Sequence, residues 1–148
     1  MELPQNLVDM VGQHLGVSEW MLIDQERVKK FADATDDHQW IHVDPEKAAL
    51  GPFGGTIAHG FLTLALTVPL AGQVPLDVGE PKMAINYGLE TVRFPAPVPV
   101  GSRVRARVEL ANVAEAGGGV QVNRIVTIEV EGQEKPAMVA ETVSRYYY

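Results

Sequence analysis

Asp37 and His42 stand five residues apart in a chain segment that runs DATDDHQWIHVDPEKAALGPFGGTIAHGFLTLAL from Asp33 to Leu66. A carboxylate and an imidazole brought to one water molecule form an acid/base pair that can move a proton at neutral pH. Downstream, His59-Gly60 opens an apolar helical run. The first N–H groups of a helix lack intrahelical acceptors, so the Gly60 N–H is a candidate donor to an oxygen that gains negative charge. Glycine there lets a ligand approach the backbone closely. Each residue also has a plainer role. Asp37 can end a helix or cap a turn, His42 can be a hydrogen-bonded core histidine, and His59 can shape the turn before Gly60. Asp44, followed by Pro45, reads as a helix N-cap. His38 and His42 are four apart with Asp36 nearby, but Trp40, Ile41 and Val43 leave no polar helical face, so no metal site is expected.

The totals narrow the classes. At 148 residues the chain reads as one domain over residues 1–148, large enough to bury a core without staples. The net charge of −7 argues against nucleic acid as a partner. There is no cysteine, hence no disulfide, thiolate nucleophile or thiolate metal site. The opening MELPQNLVDM has neither a basic region nor an apolar core of leader type. The longest apolar run, from Phe61 to Ala71, falls short of the roughly 20 residues that span a bilayer. A cytoplasmic protein with no membrane partner is the expectation.

The elements that must position these residues follow from pattern. Pro4 to Leu15 reads as an amphipathic helix, an appendage to the domain, with Leu7, Val8, Val11 and Leu15 on one stripe and Gly16 as its stop. Trp20 to Ile23 is a short strand or extended lead-in. Asp24 caps a second helix with Val28, Phe31, Ala32 and Thr35 in helical spacing, which delivers the chain to Asp36-Asp37. His38 to Val43 reads as an ordered loop, and Asp44-Pro45-Glu46 starts a helix that Gly51-Pro52 ends. The helix from Gly60 is apolar on nearly all sides and belongs in the middle of the protein; Pro69 should kink or end it. After Pro81 the period becomes two. Met83, Ile85, Tyr87 and Leu89 alternate, and the phase then slips to Val92 and Phe94, which predicts a bulge near Gly88. Val104 to Leu110 alternates with Arg103, Arg105, Arg107 and Glu109. Gly117 to Gly119 turn the chain into a strand over Val120 to Val130, whose apolar phase Arg124 interrupts. Ala137 to Tyr148 is the last strand. Helices first and three or four long antiparallel strands later make an α+β fold, its sheet wrapping the helix from Gly60.

The run from Asp37 to Asp44, the Gly55-Thr56-Ile57-Ala58-His59-Gly60 segment, Tyr87-Gly88 and Val92-Arg93-Phe94 before prolines together resemble the (R)-specific enoyl-CoA hydratases of the MaoC-like hot-dog superfamily. The resemblance covers about residues 18 to 148. It implies a hot-dog fold, an edge-to-edge homodimer, and an acyl-coenzyme A substrate, with an acyl-carrier-protein thioester as a further possibility. It implies neither metal nor redox cofactor, since coenzyme A is part of the substrate. It assigns Asp37 and His42 as the acid/base pair and Gly60 as the oxyanion donor, with Gln39 and His59 beside them. The family's better-known branch has asparagine where Gln39 stands and proline where Trp40 stands. The Gln-Trp-Ile-His form resembles the nodulation-protein-N-like branch.

Hydration of a 2-enoyl thioester needs a base for water, a proton for C2 and donors for the thioester oxygen, which these residues would supply. The expected activity is therefore that of a hydro-lyase, an (R)-specific enoyl-CoA hydratase or 3-hydroxyacyl-thioester dehydratase of fatty acid metabolism. A hot-dog thioesterase and a non-catalytic acyl-thioester-binding subunit are the alternatives; fold alone does not exclude them. The arginines at 103, 105 and 107 read as a solvated strand face, with a minor pull on coenzyme A phosphates as the other reading.

Overall fold

A computed structural model describes residues 3–148. The elements run α1 (Gln5–Val8), β1 (His14–Val17), β2 (Met21–Leu22), α2 (Gln25–Thr35), α3 (Trp40–Val43), α4 (Pro45–Ala49), α5 (Gly60–Ala65), α6 (Thr67–Ala71), β3 (Met83–Arg93), β4 (Arg103–Ala116), β5 (Gly119–Val130) and β6 (Met138–Tyr147). The strands form one antiparallel sheet in the order β1-β4-β5-β6-β3, with β2 also paired to β4. This is the α+β, hot-dog arrangement expected: four long strands behind a central helix that starts at Gly60.

The alternation read in β4 and β5 decides what faces the helix. Val104, Ala106 and Val108 pair with Val130, Ile128 and Val126, and all are buried. They pack with Leu62 of α5, Leu66 at the joint between α5 and α6 and Leu70 of α6, with Val28 of α2, and with Met138 and Ala140 of β6. Each such valine, leucine, isoleucine or methionine side chain gains about 1.5–3 kcal/mol from burial, so this layer is the main clamp between helix and sheet. Gly117 and Gly118, at φ 60° and 80°, form the tight turn between β4 and β5. The phase slip in β3 is real: the pairing with β6 shifts between Asn86 and Gly88 and again between Leu89 and Thr91.

Four local expectations are corrected. The N-terminal helix does not reach Leu15. It ends after one turn, Gly12 turns the chain at φ 86°, and the Gly12 N–H bonds the Leu110 carbonyl so that β1 joins the sheet. Val8 and Val11 stay exposed while Leu7 alone is fully buried. Gly16 is a residue of β1, not a helix stop. The segment His38–Val43 is not all loop, because Trp40–Val43 makes one helical turn. Finally, the central helix is not buried all round: Phe61 is 70% and Val68 57% exposed, since the sheet covers one side only. Its division after Ala65 follows from Pro69, which has no N–H for the Ala65 carbonyl four residues back. No helix among the described residues is long and apolar enough to cross a membrane.

Candidate active site

Two helix caps bring the site segment into place. Asp24 accepts from the Arg27 N–H at 2.9 Å and starts α2, and Asp36 ends it in the left-handed conformation at φ 57°. Asp44 accepts from the Lys47 N–H at 3.1 Å and starts α4, the N-cap role expected. Between the caps the chain makes the α3 turn. Gln25 reaches from α2 to donate to the His42 carbonyl at 2.8 Å, and Thr56 donates to the Gln25 side chain at 2.7 Å. The lead-in to α5 is tied down on both sides. The Ile57 N–H bonds the Ile41 carbonyl at 3.0 Å, and the Ala58 N–H bonds the Val98 carbonyl at 2.9 Å.

These ties bring Asp37, His42 and His59 together, with one polar atom of each within 4.8 Å of the others. His42 is buried, and its Nδ1–H donates to the Ile57 carbonyl at 2.7 Å. A carbonyl can only accept, so Nδ1 carries the proton and Nε2 keeps a lone pair. Burial away from water holds the His42 pKa below its ordinary value of 6.5; the nearby His59 lowers it further, while the Ile57 carbonyl and Asp37 oppose the shift. His42 is therefore a neutral base at pH 7.

His59 is 3% exposed and stacks on His42, with centroids 3.8 Å apart and planes 22° apart. Phe31 covers it at 4.8 Å. Its Nε2–H donates to the Asp37 backbone carbonyl at 3.0 Å and lies 3.9 Å from the Asp37 carboxylate; its Nδ1 is buried without a partner. His59 thus positions the segment bearing Asp37. The Asp37 side chain is half exposed and accepts from the Gln39 N–H at 3.3 Å. Gln39 itself is exposed and contributes this backbone N–H; its side-chain amide makes no hydrogen bond among the described residues. His38 turns away to Asp33 at 2.8 Å, outside the cluster. Asp37, His42 and His59 are grouped closely enough that they could hold a metal ion, although the His42 and His59 rings lie in nearly parallel planes, 22° apart, rather than fanned around one centre.

Gly60 is the first residue of α5, and no backbone carbonyl among the described residues accepts from its N–H. A Cβ on Gly60 would lie 3.4 Å from the Phe94 ring. A cleft of about 240 Å³ beside it is lined by Phe53, Ile57, Thr63, Phe94 and Val98. The roles of Ile57, Gln25 and Phe31 were not legible as chemistry. Phe31 showed only as part of a helical stripe, and no side-chain pattern reports where the Ile57 carbonyl points. The arginine face of β4 is engaged with acids: Arg103 with Glu131, and Arg105 and Arg107 with Glu129.

A helix whose N-cap histidine stacks on a second buried histidine beside an aspartate, set against an antiparallel sheet, is the arrangement of a hot-dog protein with acid/base groups at its helix start. The MaoC like domain family matches residues 6–133. 3-Hydroxyacyl-thioester dehydratase Z of Mycobacterium tuberculosis is 59% identical over 142 residues, 95% of this chain and 93% of that protein. Nodulation protein N of Rhizobium leguminosarum bv. viciae is 48% identical over 136 residues, 90% of this chain and 84% of that protein. The solved structure of an (R)-hydratase from A. caviae involved in PHA biosynthesis superposes with a TM-score of 0.75 at 29% identity, covering 92% of this chain and 96% of that one. The chain belongs to the MaoC-like dehydratase family.

Proposed function

We propose that the protein is a hydro-lyase that interconverts a trans-2-enoyl thioester and the (R)-3-hydroxyacyl thioester, with coenzyme A as carrier and no metal or redox cofactor. The observation that carries this reading is the neutral His42, its Nδ1–H held by the Ile57 carbonyl, within reach of the Asp37 carboxylate. Spacings of up to 4.8 Å leave room for one water hydrogen-bonded to both. In hydration the water oxygen bonds to C3 as the C2–C3 π bond breaks. The pair takes one proton from the water and returns one to C2, so Asp37 and His42 end as they began. The thioester oxygen, which carries negative charge in between, accepts from the Gly60 N–H; such a donor contributes about 3–4 kcal/mol.

The test follows the loss of enoyl-thioester absorbance with crotonyl-CoA and longer 2-enoyl-CoAs, with product chirality checked. Turnover to the (R)-3-hydroxy product is the expected result. Release of free coenzyme A without hydration would instead mark a thioesterase. Binding without turnover at any chain length would mark a non-catalytic subunit.

Gly60→Ala keeps the backbone donor but places a methyl group against Phe94. The expected effect is a folded protein whose KM rises about tenfold while kcat changes little, the scale of one added carbon in a tight pocket. Equal losses in kcat and kcat/KM would argue against substrate passing between Gly60 and Phe94.

We also propose a homodimer joined through β3. This eleven-residue edge strand pairs with β6 on one side only, and Met83, Tyr87 and Leu89 are exposed along it. A long apolar edge left open is an aggregation hazard, which pairing with a second copy removes. Light scattering should give twice the 16.1 kDa chain mass; a monomer would overturn the proposal.

A further inference from the structure

One residue breaks the inner face of the sheet. Val122, Val126, Ile128 and Val130 of β5 are buried in one phase, and Arg124 shares that phase. Its cross-strand neighbours are Leu110 on β4 and Thr142 on β6. The Thr142 hydroxyl donates to the Arg124 carbonyl at 3.3 Å, which holds the two side by side. The Arg124 Nε is buried without a hydrogen-bond partner, and its guanidinium makes no ion pair among the described residues. The contrast with Arg103, Arg105 and Arg107, each paired to a glutamate, is plain. A partly buried cation left unpaired is costly, so its place on this face calls for an anion the free chain does not supply.

Arg124 lines a cavity of about 590 Å³ between the central helix and the sheet, together with Leu64, Thr67, Ala71, Thr142 and Ser144. That is ligand-sized, and no aspartate or glutamate lines it. Gly60, Leu64, Thr67 and Ala71 follow one another at spacings of three and four, hence on one helical stripe. The cavity therefore begins at Leu64, about 6 Å along the helix from Gly60.

We propose that Arg124 is a specificity residue that pairs with a carboxylate at the far end of the acyl chain, so that the preferred substrates are ω-carboxylated 2-enoyl thioesters. This rests on the hydratase reading, which places the thioester oxygen at Gly60. A guanidinium binds a carboxylate through two parallel N–H donors. An alkyl chain in the same cavity leaves the charge unpaired.

The test compares wild type, Arg124→Met and Arg124→Lys with trans-2-octenoyl-CoA and its ω-carboxy counterpart. Wild type is expected to favour the carboxylated substrate at least about tenfold in kcat/KM, Arg124→Met to reverse the order, and Arg124→Lys to keep a reduced preference. Preference of wild type for the alkyl chain overturns the inference. So does an equal loss on both substrates in Arg124→Met, which would mark Arg124 as structural or as paired to a second copy. If Arg124→Met does not fold, the wild-type preference and its reduction in Arg124→Lys decide. Calorimetric binding of the saturated, unreactive counterparts separates the two proposals. Discrimination in binding without any turnover sinks the hydratase reading and leaves standing only the pairing of Arg124 with the ω-carboxylate, in a binder rather than an enzyme. Turnover of both substrates without discrimination does the reverse, and neither turnover nor discrimination sinks both.

Discussion

Asp37→Asn should lower kcat for enoyl-CoA hydration by about 10²- to 10⁴-fold, the usual contribution of a placed acid/base group. The substitution preserves shape and the oxygen that accepts from the Gln39 N–H. It removes the charge and the proton capacity beside His42. Because the His59 bond goes to the Asp37 backbone carbonyl rather than to its carboxylate, the segment should stay in place. The measurement is kcat and KM on crotonyl-CoA with thermal melting of both proteins. A loss below about tenfold, with the fold intact, would remove Asp37 from the reaction. A large loss accompanied by unfolding would be answered by Asp37→Glu, which restores the carboxylate one methylene further out and should recover part of the rate.

His42→Gln should cost a similar factor, again about 10²- to 10⁴-fold in kcat. Glutamine keeps a polar amide of similar length in place of the ring, but it offers no basic nitrogen to water. The pH dependence distinguishes a base from a structural residue. Burial holds the His42 pKa below 6.5, so hydration should fall off only as pH drops through that lowered value. Stability follows the same group with a defined sign. Between the lowered folded-state pKa and the unfolded value of 6.5 the unfolded chain binds more protons. Stability from this residue is therefore complete above 6.5 and is lost as pH falls through the window, with a slope of at most about 1.4 kcal/mol per pH unit. Melting curves across that range should show a steeper acid decline for wild type than for His42→Gln. Parallel declines would mean that His42 is not the buried neutral group that titrates.

Much of the scaffold could be read locally, since caps and alternation are short-range. Asp24 and Asp44 announce their helices because each carboxylate serves an N–H three residues on. Val104, Ala106, Val108 and Leu110 announce an inner face because strand side chains alternate. The slip near Gly88 announced a bulge for the same reason. Where local pattern misled, a distant partner had won. The stripe through Val8 and Val11 suggested a longer helix, but hydrogen bonds between Gly12–Gln13 and Leu110 draw the chain into the sheet after one turn. Trp40–Val43 has no helical stripe because a single turn held by its neighbours needs none. Phe61 and Val68 sit on a helix read as buried all round, yet the sheet of one chain covers only one of its sides.

The residue types and spacing of Asp37, His42 and Gly60 offered the candidate chemistry in outline, because proton transfer and oxyanion binding demand particular groups, but it was the family resemblance that assigned their roles. What spacing could not decide is how those groups are held. The tautomer of His42 depends on the direction of the Ile57 carbonyl, fifteen residues away. The stacking of His59 on His42, and its bond to the Asp37 backbone, join residues from separate elements. Arg124 looked like a lapse in an apolar strand until the sheet placed it in a cavity facing the helix that begins at Gly60. Side-chain chemistry is written residue by residue, whereas orientation, burial and the absence of a partner are properties of contacts between distant parts of the chain, which only folding creates.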